Sequence, residues 1–241
     1  MRDTYHEQLA EVGDGLIEMS RLVGSAVSKA TTALLDADLE TANSVIAADT
    51  VVNDHYHRLD DVAVQLLARQ QPVATDLRAI VTGLRMSSDL ERVGDYAVHI
   101  AKVAKRRHPA SVVPVELRAT ILEMGQAATR ITVKAGTVIA TRDLTLAAQL
   151  LADDDTIDDL HRQLFAELLG GDFPHGVAAA VDLALVGRYY ERLADHAVSV
   201  SHAVTYLVTG EHSDPEDLAD PEDLADERTD SHAASREHAP E

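Results

Sequence analysis

A short acidic motif occurs twice in this chain, at residues 91–95 (ERVGD) and at residues 191–195 (ERLAD). In each copy a Glu and an Asp are four residues apart, so both carboxylates point to one face if the segment is an α-helix. Carboxylate oxygens are the ligands that hard and borderline cations such as Mg²⁺, Mn²⁺ and iron prefer. The repeated motif therefore suggests two metal sites on helices.

Two upstream pairs with the same spacing complete the predicted sites. Helix-breaking segments at residues 70–72 and 170–174 separate each pair from its motif. In an antiparallel helix pair, residues equidistant from the turn lie at the same level. In the first repeat, positions 49 and 95 are equidistant from Pro72, and so are positions 53 and 91. In the second repeat, positions 154 and 195 are equidistant from a point beside Pro174, and so are positions 158 and 191. The predicted metal ligands are Asp49, Asn53, Glu91 and Asp95 in the first site, and Asp154, Asp158, Glu191 and Asp195 in the second.

The same residues also allow an interpretation without metal. Arg92 and Arg192 lie inside the two motifs and could pair with the acids on a solvated helix surface. For a single copy of the motif that interpretation would be favoured. Carboxylates gathered without a cation repel one another and some take up protons. The duplication and the shared register therefore favour metal binding.

Histidines extend only the first site. His57 and His99 follow Asn53 and Asp95 by four residues, and the second repeat has no His at the matching positions, so we treat both as optional ligands. The Glu-x-x-His motif of di-iron bundle oxidases does not occur in the helical body. The related Asp-x-x-His sequences that end at His57 and His161 do not occupy equivalent positions in the two repeats. Catalytic triads, Gly-rich phosphate loops and thiol nucleophiles were not found either.

Helical periodicity continues through almost the whole chain up to about residue 209. It predicts helices at about residues 9–34, 38–69, 75–107, 116–141, 143–169 and 175–208. Thr75 and Asp76 are the predicted cap of the third helix. The fold prediction is all-α, with two tandem antiparallel three-helix bundles at residues 1–108 and 115–210.

Composition restricts the classes of partner. The chain has 241 residues, no Cys and a net charge of −20, and residues 211–241 contribute 12 acids and 2 Arg. An acidic surface argues against nucleic-acid binding, which needs a basic footprint. No stretch is long and apolar enough for a membrane span, and no signal sequence opens the chain. We expect a soluble, cytoplasmic protein whose acidic tail at residues 211–241 is disordered.

Residues 69–102 resemble the signature stretch of the PhoU family. The stretch contains RQQPVATDLR followed by DLERVGD, and a second E-R-x-x-D word lies in the other half of the chain. The resemblance covers about residues 1–210. The chain has only four Lys, which indicates a GC-rich genome and is typical of the actinobacterial members called PhoY.

The resemblance implies a function beyond what the spacing indicates. PhoU proteins are cytoplasmic negative regulators of the phosphate-starvation response and are not enzymes. They are thought to act as adaptors between the ATPase subunit of the phosphate ABC transporter and its sensor histidine kinase. The family binds metal ions such as iron, Mn, Mg or Zn through its paired acids, and a homodimer is expected by analogy.

Two departures from the family pattern matter here. Asn53 replaces an acid and removes one charge from the first site, whereas Ala194 replaces a Gly and affects only packing. We therefore expect the second site to hold metal more firmly. Two alternatives stay open on sequence alone, a metal-dependent phosphoester hydrolase and a metal-free helical scaffold that binds basic partners.

Overall fold

The computed structural model describes residues 2–171 and 173–211, with side chains from Glu7 onward apart from Gln70. Every long element in these residues is an α-helix, which confirms the all-α prediction. The acidic tail beyond residue 211 lies outside the described residues. The helices are α1 (Arg2–Asp36), α2 (Leu39–Gln70), α3 (Thr75–Arg107), α4 (Arg118–Thr141), α5 (Leu144–Leu169) and α6 (Val177–Thr209), with a 3₁₀ turn at Val115–Leu117.

Equivalent Asp residues start the second helix of each repeat. The Asp38 carboxylate accepts hydrogen bonds from the backbone N–H groups of the first turn of α2, at 2.9 and 3.1 Å. Asp143 caps α5 in the same way, at 2.8 and 3.2 Å. Capping of this kind satisfies N–H groups that have no partner inside the helix.

The predicted cap of α3 is wrong. Ala74 occupies the capping position with a positive φ of 49° and makes no side-chain hydrogen bond to the helix. Thr75 is already the first helical residue, so its hydroxyl cannot act as the cap. Asp76 still lies in the first turn, where its negative charge favours the helix dipole.

The two three-helix bundles share one apolar core. Helices α1, α2 and α3 pack together, as do α4, α5 and α6. In addition α1 packs along α4, and α3 packs along α6, so equivalent helices of the two repeats meet. Buried residues of both repeats, among them Met19, Leu90, Ile131 and Leu193, form a continuous cluster. No described helix is apolar over a length that would cross a membrane.

A buried carboxylate joins α6 to the end of α3. Asp182 is only 4% exposed and accepts hydrogen bonds from the guanidinium groups of Arg106 and Arg107. Arg107 also donates to the carbonyl of Ala178 at 3.0 Å. A buried charge needs partners of this kind. The arrangement fixes the first turn of α6 against the last turn of α3.

Candidate metal centre

The turn register predicted from the sequence agrees with the packing of the first site. Helices α2 and α3 pack against each other across the break at residues 71–74. The Asp49 carboxylate lies against α3, with Oδ1 3.9 Å from where a Cβ on Gly94 would be. Asp95 is close enough for its charge to raise the pKa of Asp49. The acid from the facing helix therefore lies beside the ERVGD motif, at the distance of an ordinary van der Waals contact.

Burial dominates the electrostatics of the first site. It raises the pKa of Asp49 above its ordinary value, and the Asp95 charge adds to that shift. Burial also raises the pKa of Glu91, again with a contribution from Asp95. Asn53 donates to Asp49 Oδ2 at 3.3 Å, and Arg92 lies 3.0 Å from Asp95 and 3.7 Å from Glu91. The first site therefore combines three acids with one amide and one guanidinium.

Burial raises the pKa values of three of the four acids in the second site, and neighbouring acids add to these shifts. Burial raises the pKa of Asp154 to about 7, with further contributions from Asp195 and Asp158. Burial raises the pKa of Asp195 to about 6, and the Glu191 charge adds to it. The pKa of Asp158 is raised by burial and then by Glu191. These influences agree with the predicted facing of Asp154 with Asp195 and of Asp158 with Glu191.

Arginine and histidine side chains lie beside Glu191 and Asp195 in the second site. Arg188 donates to Glu191 Oε2 at 2.7 Å, and Arg192 lies 3.6 Å from Asp195 Oδ2. His161 Nδ1 is 3.6 Å from the same Glu191 oxygen. His161 was not among the predicted ligands, because its Asp-x-x-His sequence is out of repeat register with the one that ends at His57. Its spacing of three from Asp158 was the signal that could have identified it.

The optional ligands His57 and His99 lie within electrostatic reach of the first site. A positive charge on His57 would lower the pKa of Glu91, and a positive charge on His99 would lower the pKa of Asp49. His99 also stacks on Tyr189 of α6, with ring centroids 5.2 Å apart. Its ring is therefore shared between the first site and the contact of the two repeats.

Orphaned oxygens make both sites suitable for a cation. Oδ1 of Asp49 and Oδ1 of Asp154 are buried and have no hydrogen-bond partner among the described residues, which is costly for a carboxylate. Oxygen donors with raised proton affinity suit hard cations. Within residues 2–171 and 173–211, however, no three His, Asp or Glu side chains converge around one point. Side-chain movement is needed before several of these acids could share an ion, so the ligand set stays a prediction.

The two acidic sites lie at the same level on either side of the α3–α6 contact. In that contact His196 Nδ1 is 3.1 Å from Asp89 Oδ1, and the rings of Tyr96 and Tyr189 are 6.1 Å apart. These contacts show that α3 and α6 run antiparallel. The same register places position 95 opposite position 191, and position 91 opposite position 195. The sequence could not predict this arrangement because it depends on how the repeats pack together.

A family model matches both halves of the chain. The model, described as the PhoU domain, matches residues 16–104 and again residues 121–204. The match confirms the tandem repeat that the duplicated motifs predict.

Curated relatives extend the match over most of the chain. The phosphate-specific transport system accessory protein PhoU homolog 1 of Mycobacterium leprae is 46% identical over 217 residues, which is 90% of this chain and 97% of the relative. PhoU homolog 2 of Mycobacterium tuberculosis is 46% identical over 210 residues, 87% of this chain and 99% of the relative.

Solved structures share the fold. The crystal structure of PhoU from Pseudomonas aeruginosa matches with a TM-score of 0.78 and 29% identity, over 86% of this chain and 100% of the other. A phosphate transport system regulatory protein PhoU from Streptococcus pneumoniae matches with a TM-score of 0.78 at 24% identity, over 87% of this chain and 99% of the other. The second comparison bears on the fold alone.

Proposed function

The chain belongs to the PhoU family, and on that premise we propose that it is an accessory protein of phosphate transport that represses the phosphate-starvation response. In this proposal it is a cytoplasmic adaptor between the ATPase subunit of the phosphate ABC transporter and the sensor histidine kinase. The observation that carries the proposal is the 46% identity to mycobacterial accessory proteins over nearly their whole length. The same relatives are named as accessory proteins, which favours a role without catalysis.

The adaptor carries metal ions on its acidic sites in this proposal. A bound cation such as iron, Mn²⁺, Mg²⁺ or Zn²⁺ would neutralise carboxylates that otherwise repel one another. Asp154 and Asp195 supply the most strongly perturbed carboxyls of the second site, and the orphaned oxygen of Asp154 supports its assignment as a ligand. Carboxylate donors favour the harder cations of this group.

The second site is the stronger of the two in this proposal. In the first site the Asn53 amide donates to Asp49 Oδ2 and so engages one of the oxygens that a cation would use. Asn53 also contributes no charge, so three acids face the ion rather than four. Metal affinity should therefore differ between the sites, although both use the same helix geometry.

Metal retention tests the ligand assignment. The double variant Glu191→Gln/Asp195→Asn, purified without chelator, should lose most of the metal that elemental analysis finds in the wild type. The matching variant Glu91→Gln/Asp95→Asn should lose less. Asp159→Asn is the control, because Asp159 lies on the same α5 helix but is exposed and paired with Arg162. Equal metal content in the wild type and in the second-site double variant would show the assignment to be wrong.

Further measurements can separate regulation from catalysis. A strain that lacks the protein should show a constitutive starvation response, and the wild-type chain should restore repression by phosphate. Capture of the cognate kinase by the purified protein should accompany that repression. Sustained turnover of a phosphoester by metal-loaded protein would instead favour the hydrolase alternative. Full kinase capture by metal-free protein would favour the metal-free scaffold.

A further inference from the structure

An open pocket of about 400 Å³ lies between α1 and α4. It is lined by residues of these two helices, whereas the acidic sites belong to α2, α3, α5 and α6. Its volume falls in the range of small-molecule sites, roughly 300–1,000 Å³. Polar groups come from both walls and include Ser28 and Thr32 of α1, and Gln126, Thr129 and Arg130 of α4. Neither the family match nor the acidic motifs assign a role to this pocket.

Arg130 gives the pocket a positive charge. It is the one ionisable residue in the lining, it is exposed, and none of the described residues forms an ion pair with it. Lys29, next to Ser28 on α1, is also unpaired within the described part of the chain. Two other cations of α4 are neutralised, since Arg118 pairs with Asp36 and Lys134 with Asp153. An unpaired guanidinium in a chain of net charge −20 marks this pocket as a site for an anion.

The remaining polar groups provide donors beside that charge. The Thr32 hydroxyl donates to the carbonyl of Ser28 at 3.1 Å, and the Thr129 hydroxyl donates to that of Gly125 at 2.8 Å. Their protons are therefore engaged. The Ser28 hydroxyl and the Gln126 amide form no hydrogen bond with another described residue. A guanidinium, a hydroxyl and an amide around one cavity are well suited to the oxygens of a phosphoryl group.

A fixed floor holds the pocket open. Thr31 donates to the carbonyl of Val27 at 2.9 Å, so Thr31 Oγ1 accepts the hydrogen bond of 2.8 Å from the Tyr190 hydroxyl. Tyr190 is fully buried on α6. On the other wall a Cβ at Gly125 would be 2.3 Å from Thr31 Cγ2, which shows how closely the backbone of α4 approaches this floor. The floor is thus set by packing before any ligand arrives.

We propose that this pocket binds a phosphoryl oxyanion, either free phosphate or the phosphate ester of a small metabolite. Arg130 holds two phosphoryl oxygens, and Ser28 and Gln126 donate to the others. The cavity is several times larger than phosphate alone, so an ester can place its organic part against Leu122. The proposal rests on the α1–α4 pocket and depends neither on metal at the acidic sites nor on the adaptor role.

Calorimetric titration of the full chain tests the proposal, with inorganic phosphate and adenosine monophosphate as separate probes. Arg130→Gln should weaken binding at least tenfold. The control Arg85→Gln removes the same charge from an exposed position on α3 that forms no ion pair within residues 7–171 and 173–211. It should leave the affinity within about twofold. Ser28→Leu obstructs the pocket without a change in charge, and it should also weaken binding. Thermal unfolding of each variant verifies that it is folded.

The outcomes separate the two ligand sources and the two proposals. Tighter binding of the ester, lost in Arg130→Gln, assigns the pocket to a phosphorylated metabolite. Equal binding of both probes, lost in the same variant, assigns it to the oxyanion itself. Binding that depends on Arg130 should persist in Glu191→Gln/Asp195→Asn, whatever happens to the metal of that variant. No saturable binding of either probe by the wild type, or equal affinities of Arg130→Gln and Arg85→Gln, would overturn the proposal.

Discussion

Asp154 and Asp195 make the second acidic site a source of pH dependence. Burial is the main cause that raises their pKa values, to about 7 and about 6, from an ordinary value of 3.8. An acid with a raised pKa binds more protons in the folded state than in the unfolded state. The free energy of unfolding therefore falls as the pH increases through that window.

We predict that the metal-free protein loses stability between about pH 4 and pH 7. One pKa unit corresponds to about 1.4 kcal/mol. Solvent screening at these partly exposed carboxyls reduces the combined free energy that the two pKa shifts would otherwise contribute. A loss of about 2 kcal/mol attributable to these two residues is expected from urea unfolding in chelator. The stabilising contribution is complete below about pH 4 and absent above about pH 7.

The comparison with Asp154→Asn isolates this effect from the titration of the histidines. The variant should show a flatter pH profile than the wild type, whereas Asp159→Asn should show the wild-type profile. Addition of a bound cation at pH 7.5 should restore stability in the wild type and less so in Asp154→Asn. Identical profiles for the wild type and Asp154→Asn would contradict the electrostatic account.

At the scale of single residues, the sequence predicted the acids of each site but not their surroundings. Equal spacing around Pro72 and Pro174 was sufficient to predict which acids lie at the same level, because the level of a side chain in a helix hairpin depends on its distance from the turn. His161 could not be identified by repetition, since it lies in one repeat only. The pairing of Arg188 with Glu191 also depends on rotamers that spacing does not determine.

At the scale of helices, α1 and α4 approach each other through small residues. A Cβ at Gly136 would lie 2.2 Å from Ser20 Oγ and 2.9 Å from Ser20 Cβ, so the two helix backbones must separate or bend to accept it. Gly13, in contrast, has no neighbouring atom within 4 Å of that position. The two glycines therefore have different roles although both are helical.

We predict opposite effects for Ala at these two glycines. Gly136→Ala should reduce the free energy of unfolding by about 1–3 kcal/mol, because overpacking strains the α1–α4 contact. Gly13→Ala should raise it by up to about 1 kcal/mol, since Ala favours the helix more than Gly does. Urea unfolding of both variants provides the measurement. A stabilised Gly136→Ala protein would show that the crossing can widen without cost.

The predicted helix bounds agree with the structure to within two residues, except at the start of α1. The starts of α2 and α5 could be placed because Asp38 and Asp143 immediately precede apolar periodic segments. The cap of α3 could not, because Ala74 takes a positive φ that no side-chain signal announces. Helix α1 begins earlier than predicted, since the residues before Leu9 are polar and show little apolar periodicity.

At the scale of the whole molecule, each repeat covers an apolar face of the other. Helix α1 needs α4 and α3 needs α6 for full burial, and the core is continuous across the repeats. Sequence periodicity identifies which helix faces are apolar, but it does not indicate which helices cover them. The division into domains at residues 1–108 and 115–210 therefore stays a prediction about the repeats.

We predict that residues 1–113 alone do not form a stable monomer. Without α4 and α6, the apolar faces of α1 and α3 would be exposed to water, which favours association or unfolding. Size-exclusion chromatography with light scattering should find oligomers or aggregates, and thermal unfolding should show a lower midpoint than the full chain. A monomeric fragment with the midpoint of the full chain would contradict a shared core.

The pairing of equivalent helices gives the single chain the symmetry of a two-subunit assembly. Contacts of α1 with α4 and of α3 with α6 are isologous, as in a twofold dimer whose subunits have been fused. The hydrogen bonds of Asp182 with Arg106 and Arg107 break that symmetry. The equivalent position in the first repeat is Thr82, whose buried hydroxyl has no partner among the described residues. Each half is therefore specialised for the other. Replacing one half with a second copy of the other half would not reproduce the same contacts.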